Sequence, residues 1–302
     1  MSEPSIHWGA EALWQELVPL LPGLSVEVVA RTLSTNTALL ERARAAPGRR
    51  DDDEQDGVVL RRSVESAAFG RRAVDLQPCL LVAEHQTGGR GRQGRAWQSA
   101  AGASLTFSLG MALLAPDWSG LSLAVGVALA EALEPASATK APRVGLKWPN
   151  DLWLMDAAPP HATGGRKLGG VLIETVAAGA QRLVVVGIGL NVQAFDAVEA
   201  STGFAALQEL DPSMTAPIAL ARVARPLVLA LRQFEREGFA GFAQRFAARD
   251  ILRGRPVRTT LAEVPEGIAR GVSPQGALLV QTADGVISVA SGEVSVRLAG
   301  PA

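Results

Sequence analysis

The apolar positions near the start of the chain change their period once. Trp8, Leu13, Trp14, Leu17, Val18 and Leu21 follow helical spacing and stop at Pro22-Gly23, after which Val26, Val28 and Ala30 alternate as in a half-buried strand. Ser34-Thr35-Asn36 then opens a helix through Leu39-Leu40-Glu41, with Ser34 or Thr35 as its N-cap. Leu80-Leu81-Val82-Ala83 reads as a short buried strand, and residues 104–109 alternate cleanly as another. Residues 121–134 place Leu121, Ala124, Val125, Ala128, Leu129 and Leu133 on one helical stripe, the mark of a core-facing helix. Val144-Gly145-Leu146-Lys147-Trp148 is a strand that stops at Pro149-Asn150-Asp151.

Residues 156–166 read as a loop. Residues 168–175 and 183–190 read as two adjacent strands, and 216–249 as one or two amphipathic helices. From Gly254 onward the pattern becomes short alternating strands with glycine turns: Val257-Thr259-Leu261, 277–281, 286–289 and Val294-Val296-Leu298. That is a small all-β module of SH3-like size, with a boundary near Arg253. Residues 47–78 stand apart, because the pairs Arg49-Arg50, Arg61-Arg62 and Arg71-Arg72 alternate with the acidic run Asp51-Asp52-Asp53-Glu54 and with Asp56 and Glu65. The expectation there is a solvated, partly disordered insertion.

Composition narrows the class. With 302 residues, 48% of them hydrophobic, the chain has room for one large or two unequal domains. Lys+Arg at 29 against Asp+Glu at 30 gives a net charge of −1, which argues against general nucleic-acid or membrane-surface binding. Cys79 stands alone, so an intrachain disulfide and a thiolate metal cluster are both excluded. The first residues lack a basic segment followed by an apolar core, and no apolar run reaches the ~20 residues of a membrane span. A reducing cytoplasm is the expected setting.

The chemistry concentrates in a few short runs. Glu84-His85-Gln86-Thr87-Gly88-Gly89-Arg90-Gly91-Arg92-Gln93-Gly94-Arg95-Ala96-Trp97 interleaves glycines and arginines with neither helical nor strand period. Glycines allow close backbone approach to a ligand, and arginines offer planar forks for phosphate or carboxylate. Such a loop is expected to be disordered when empty and to close over an anion. Lys147-Trp148-Pro149-Asn150-Asp151 can hold phosphate and a divalent cation together, since Asn and Asp oxygens suit Mg²⁺; an ordinary Asn-Asp turn is the plainer reading. Arg166-Lys167-Leu168-Gly169-Gly170-Val171-Leu172-Ile173-Glu174 puts cations just before a buried strand. Gly187-Ile188-Gly189-Leu190-Asn191-Val192 is a strand with two side-chain-free positions, either where another group comes close or where a β-bulge sits. The three histidines, His7, His85 and His161, lie in no metal-ligand spacing. There is no G-x-S-x-G elbow, Walker A loop or dinucleotide fingerprint.

Taken in order, Ser34-Thr35-Asn36, Gln86 with the Gly89–Arg95 loop, the Lys147–Asp151 turn, Lys167-Leu168-Gly169-Gly170 and the Gly187–Asn191 strand resemble the biotin protein ligases, or holocarboxylase synthetases. The motif-bearing match runs over 32–192, and the tail from Gly254 is similar to the family's small C-terminal barrel. The resemblance implies an α+β fold, a mixed β-sheet flanked by helices of the class II aminoacyl-tRNA synthetase and biotin ligase type. It implies a catalytic domain at 1–253 and an SH3-like domain at 254–302.

It implies a two-step reaction: biotin and MgATP give biotinyl-5′-AMP, and a lysine of a biotin carboxyl carrier protein then displaces AMP. By this resemblance, Ser34, Thr35, Asn36, Gln86, Gly89, Arg90, Gly91, Arg92 and Lys167 hold biotin. Arg92, Arg95, Lys147, Asn150, Asp151 and Asn191 serve the nucleotide, and Asp151 and Asn150 hold Mg²⁺ with the ATP phosphates. Lys167 and Arg92 are the residues implied in catalysis. Trp97 and Trp148 are either apolar walls for the bicyclic ring or core residues. No nucleophile is required, because the adenylate is itself the activated acyl group.

The chain departs from the family pattern in places. Position 93 is Gln where basic residues are common, and the 47–78 and 156–165 segments look longer than the family minimum. The residues before Ser34 are too few for the DNA-binding domain of bifunctional members, so a monofunctional enzyme without specific DNA binding is expected. Family members often dimerise by pairing sheet edges; the residues of this chain point neither way. The competing readings are a lipoate–protein ligase-like acyl transferase, a biotin-responsive transcriptional regulator, and a non-catalytic ligand-binding protein. The intact G-R-G-R-x-G and K-W-P-N-D runs favour biotin.

Overall fold

The computed structural model describes residues 6–44, 68–69, 77–135, 141–155, 165–178, 181–195, 203–290 and 294–298. In chain order the elements are α1 (Ala10–Leu17), β1 (Ser25–Thr32), α2 (Thr35–Arg44), β2 (Ala68–Phe69), β3 (Cys79–Gln86), β4 (Ser104–Ala112) and α3 (Leu121–Leu133). They continue with β5 (Val144–Lys147), β6 (Asp151–Met155), β7 (Gly165–Ala178), β8 (Gln181–Asn191), α4 (Ala216–Glu237) and α5 (Ala243–Ala247). The last five are β9 (Pro256–Thr259), β10 (Glu266–Val272), β11 (Leu278–Thr282), β12 (Gly285–Val289) and β13 (Val296–Leu298).

The chain divides into two compact units. The first comprises Met1–Leu114, Val171–Ala197 and Ala206–Val228; the second comprises Ala115–Gly170, Val198–Ala205 and Leu229–Ala302.

In the first unit the strand order is β2-β1-β3-β4-β8-β7. β1 runs parallel to β3 and antiparallel to β2, while β3–β4 and β4–β8 are antiparallel, so the sheet is mixed. Parallel β1 and β3 need a crossover, and α2 lies in that connection. It buries Leu39, Leu40 and Ala43 against Val29, Leu81, Ala83 and Val185. At about 1.5–3 kcal/mol for each large apolar side chain, this contact makes α2 a fixed platform. Ser34 caps it, with its Oγ accepting from the Thr37 amide at 3.4 Å and its carbonyl from Ala38 at 3.0 Å. The 47–78 insertion lies outside the described residues apart from 68–69 and 77–78. Residues 68–69 form β2, an edge strand on β1 with Val26 opposite Phe69, where the sequence suggested no sheet pairing.

In the second unit, β5, β6 and the start of β7 follow one another, with β5–β6 and β6–β7 antiparallel. Two expectations are corrected here. Residues 151–155 are a strand, and β7 begins at Gly165, so Gly165 and Arg166 are strand rather than loop. Helix α3 buries more than the one stripe: Leu123, Gly126, Val127 and Ala130 are buried as well as the stripe residues, leaving Ser122, Glu131 and Ala132 partly exposed.

The C-terminal strands form an antiparallel sheet in the order β12-β11-β10-β9-β13. Among the described residues no pairing between β12 and β13 closes it into a barrel. β10 escaped the sequence reading because Gly267, Gly271 and a register shift between Ala269 and Val272 interrupt its alternation.

Candidate active site

The residues nominated from sequence fall into two groups, each within one compact unit. In the first unit, the side chains of Ser34, Thr35 and Asn36 are buried at the start of α2, and Gln86 is buried at the end of β3. Gln86 Oε1 accepts from the Thr35 amide at 2.7 Å and lies 3.1 Å from Thr35 Oγ1. Ser108, on the neighbouring β4, places its hydroxyl 2.6 Å from both Thr35 Oγ1 and Asn36 Oδ1. Asn36 Nδ2 donates to the Leu172 carbonyl at 3.3 Å and to Glu174 Oε2 at 2.9 Å.

Gly187 and Gly189 explain their own presence. A Cβ on Gly187 would lie 2.2 Å from Asn36 Oδ1, and one on Gly189 would lie 2.4 Å from the Trp97 ring. The register of β4 with β8 runs unbroken through both positions, so close approach, and not a bulge, accounts for them. Trp97 is thus a half-buried ring laid on bare strand backbone. Asn191 is buried where β8 ends opposite Ser104.

The glycine–arginine loop folds back on itself. The Trp97 amide donates to the Gly89 carbonyl at 2.8 Å and the Gly91 amide to the Arg95 carbonyl at 2.7 Å, making a small hairpin. Its tip, Arg92–Gly94, takes left-handed backbone at Gln93 (φ 57°) and Gly94 (φ 69°). The Arg90 guanidinium turns back to the sheet, with Nη2 3.1 Å from Glu174 Oε1 and 3.3 Å from Oε2. Arg95 donates to Gln93 Oε1 at 3.3 Å.

In the second unit, the antiparallel register sets Lys147 opposite Asp151 and Asp151 opposite Gly170. Lys167 Nζ lies 2.8 Å from Asp151 Oδ1. A Cβ on Gly170 would come within 3.4 Å of that carboxylate oxygen and 3.7 Å of the ammonium. The Lys147–Asp151 turn is secured from several sides. Lys147 Nζ donates to the Val296 carbonyl at 2.8 Å and sits 5.4 Å from the Trp153 ring centroid. Trp148, fully buried, donates its indole N–H to the Gly276 carbonyl at 3.0 Å, and Ser122 Oγ donates to the Pro149 carbonyl at 2.9 Å. Trp148 is therefore a core anchor of this unit.

Two residues with roles here were given none from sequence. Glu174 joins Asn36 to Arg90, and its signal was a lone carboxylate inside an apolar strand. Ser108 joins Thr35 to Asn36, and nothing in its alternating strand set it apart. Among the described residues no three His, Cys, Asp or Glu side chains are grouped to hold a metal by themselves, and no helix is long and apolar enough to cross a membrane.

Residues 76–191 match the profile of the biotin/lipoate A/B protein ligase family, and residues 253–297 match that of the biotin protein ligase C-terminal domain. A biotin–[acetyl-CoA-carboxylase] ligase of Mycobacterium tuberculosis is 35% identical over 296 residues, covering 95% of this chain and 91% of the relative. The bifunctional ligase/repressor of Escherichia coli is 38% identical over 226 residues, which span 72% of this chain and 66% of the relative, just under two thirds of its length. Among solved structures, a biotin protein ligase from Aquifex aeolicus in complex with biotin and ATP is similar with a TM-score of 0.66 at 25% identity, covering 91% of this chain and 99% of that one. The chain belongs to the biotin protein ligase family.

Proposed function

We propose that this protein activates biotin with ATP to biotinyl-5′-AMP and transfers the biotinyl group to a lysine of a biotin carboxyl carrier protein or carboxylase domain. The observation that carries this reading is the 35% identity to a biotin–[acetyl-CoA-carboxylase] ligase across nearly the whole of both chains. The ordered polar network under the hairpin and the Lys167–Asp151 pair support it. Residues 1–253 form the catalytic part and 254–302 the C-terminal module, and the cytoplasm, which supplies ATP, is the setting.

Biotin is held by Ser34, Thr35, Asn36, Gln86 and the Gly89, Arg90, Gly91 and Arg92 backbone and side chains. The nucleotide is held by Arg92, Arg95, Lys147, Asn150, Asp151 and Asn191. In the first step a biotin carboxylate oxygen attacks the α-phosphorus, the α–β phosphoanhydride bond breaks, and pyrophosphate leaves. Two anions must meet, so fixed cations are needed. Lys167 supplies one at the reacting carboxylate and α-phosphate, exchanging its partner Asp151 for substrate oxygens. Arg92 supplies another. In the second step the carrier lysine's neutral amine attacks the acyl carbon, AMP leaves with the bonding electron pair, and the amine loses a proton.

Mg²⁺ commonly keeps several waters and takes one or two carboxylates together with substrate phosphates. One carboxylate, Asp151, beside the Asn150 amide fits that pattern. When bound, the ion neutralises phosphate charge. Lys147, whose ammonium donates to Val296, serves the nucleotide by fixing the turn that carries Asn150 and Asp151.

Purified protein given biotin and MgATP is expected to release pyrophosphate and label a carrier lysine. An absence of biotin-dependent pyrophosphate release, or equal activity with lipoate, would sink this reading. The lipoate alternative has no separate observation in its favour.

A further inference from the structure

We propose that Glu174 is a positioning residue for the biotin-binding residues, fixing the hydrogen-bond direction of the buried network and holding the glycine–arginine hairpin through Arg90. The inference rests on the function proposed above for the identity of the ligand, but not for the latch itself.

The argument starts from what a carboxylate can do. Ionised Glu174 only accepts, and the Leu172 carbonyl only accepts. Both face the same end of the Asn36 amide, so that end must be the NH₂ group, and Oδ1 must face Ser108. Ser108 has one proton and gives it to Asn36 Oδ1. The Ser108 oxygen then accepts from Thr35, whose single hydroxyl proton has Gln86 Oε1 as its other neighbour. Gln86 Oε1 keeps the Thr35 backbone amide as its donor. The Gln86 NH₂ group is thereby turned toward Gly89 at the base of the hairpin, where a Cβ would lie 3.1 Å from Nε2. Glu174 on β7, together with the Leu172 carbonyl, thus sets which groups of Asn36, Ser108 and Thr35 point where, while the Thr35 amide sets Gln86.

The same carboxylate reaches the hairpin. Both of its oxygens lie within 3.3 Å of Arg90 Nη2, with side-chain exposures of 46% for Arg90 and 25% for Glu174. The pair is half-exposed and weak enough to open, while its other end is anchored on Asn36, which is buried and packed against the bare backbone of Gly187. The hairpin is tied to the network by an interaction that can be broken and remade.

The two duties separate by mutation. Glu174→Gln can still accept from Asn36 but loses the charge that holds Arg90. Glu174→Ala loses both. Hydrogen exchange at the Gly91 and Trp97 amides of the empty protein reads the latch, and the KM for biotin against that for ATP reads the network. Glu174→Gln is expected to speed hairpin exchange about fivefold, the range of a half-exposed ion pair. Arg90→Gln should match it, and the double variant should add nothing further. Glu174→Ala should also raise the KM for biotin about tenfold with the KM for ATP unchanged, since a bond to a charged group is lost. A loss of folding alone would not split the two KM values.

Unchanged hairpin exchange in Glu174→Gln, or additive effects in the double variant, would overturn the latch. Equal changes in both KM values would overturn the network role. If wild-type protein shows no biotin-dependent turnover, the proposed function fails while the exchange experiment still decides the latch.

Discussion

The Asp151 carboxylate and the Lys167 ammonium lie 2.8 Å apart on adjacent antiparallel strands, with Gly170 leaving the space beside them open. The acid expected to serve the metal and the lysine expected to serve the reacting carboxylate hold each other. The pair keeps both side chains oriented, and under the function proposed above substrate oxygens take the lysine from its partner. Lys167→Gln is expected to lower the rate of biotin-dependent pyrophosphate release by about 100-fold or more, the scale for losing one charge-stabilising donor. Asp151→Asn should raise the Mg²⁺ concentration needed for half-maximal rate. Initial rates across a Mg²⁺ titration test both, and a Lys167→Gln enzyme of near-normal rate would remove the lysine from the chemistry.

Gly187 is a steric requirement of Asn36. An alanine there would drive its Cβ to 2.2 Å from Asn36 Oδ1, a side chain already bonded to Ser108, Leu172 and Glu174. Gly187→Ala should destabilise the protein by about 1–3 kcal/mol, as overpacking of a filled site does. It should weaken biotin binding more than ATP binding. Thermal denaturation and calorimetric titration with each ligand check the two halves of this expectation.

The hairpin tip carries Arg92 beside the left-handed Gln93-Gly94 pair. Replacing Arg92 with glycine removes a cation and loosens the tip together. The variant should form adenylate and release it, so that biotin appears on lysines of unrelated proteins added to the mixture. Adenylate retained on the protein through a gel-filtration step, as in wild type, would count against this role.

An ion pair with a buried arginine ties together part of the second unit. Arg249, with 4% of its side chain exposed, bonds Glu134 Oε2 at 3.1 Å, the Val144 carbonyl at 2.8 Å and the Glu134 carbonyl at 2.7 Å. It joins the end of α3 to β5. Arg249→Ala leaves the Glu134 carboxylate with only the Arg143 and Val144 amides as donors and strips the Val144 and Glu134 carbonyls of theirs, and should cost about 3–5 kcal/mol. Urea denaturation measures it, and a cost below 1 kcal/mol would be inconsistent with a buried pair.

Asp250, next along, has its pKa raised above the ordinary 3.8, chiefly by burial and partly offset by the Leu252 and Arg253 backbone amides and the Arg253 charge. An acid whose folded pKa is raised lends full stability below its unfolded value and loses it as pH rises through the folded value. Asp250→Asn keeps an oxygen for the Leu252 amide, which donates to Asp250 Oδ1 at 2.9 Å, and cannot ionise. The variant should therefore melt higher than wild type at pH 7, with the difference shrinking as pH falls toward 4. Melting temperatures across that range test the sign.

The local pieces of the fold were legible because each rests on near neighbours in sequence. Helical spacing gave α2, and Ser34 caps it. The alternation of 104–109 gave β4, and the Trp148-Pro149-Asn150 run gave the turn after β5. Strand β10 and the tail of β6 were hidden, because interior glycines break one alternation and a continuous apolar run at residues 152–155 has no period. Helix α3 misled in the other direction: a visible stripe suggested one buried face where neighbours cover most of it.

The sequence by itself determined which residue types are available for the chemistry: a glycine-bearing loop with fixed cations, a turn with Asn and Asp, and a lysine at the head of a strand. Those are local composition, and the same residues would be present in any register. Only the tertiary structure decided their partners. Arg90 meets Glu174 across 84 residues of chain, and Asn36 meets it across 138. Lys147 finds the Val296 carbonyl across 149. Such pairings follow from strand order and register, where a slip of one residue turns every side chain to the opposite face, and no local period carries that information.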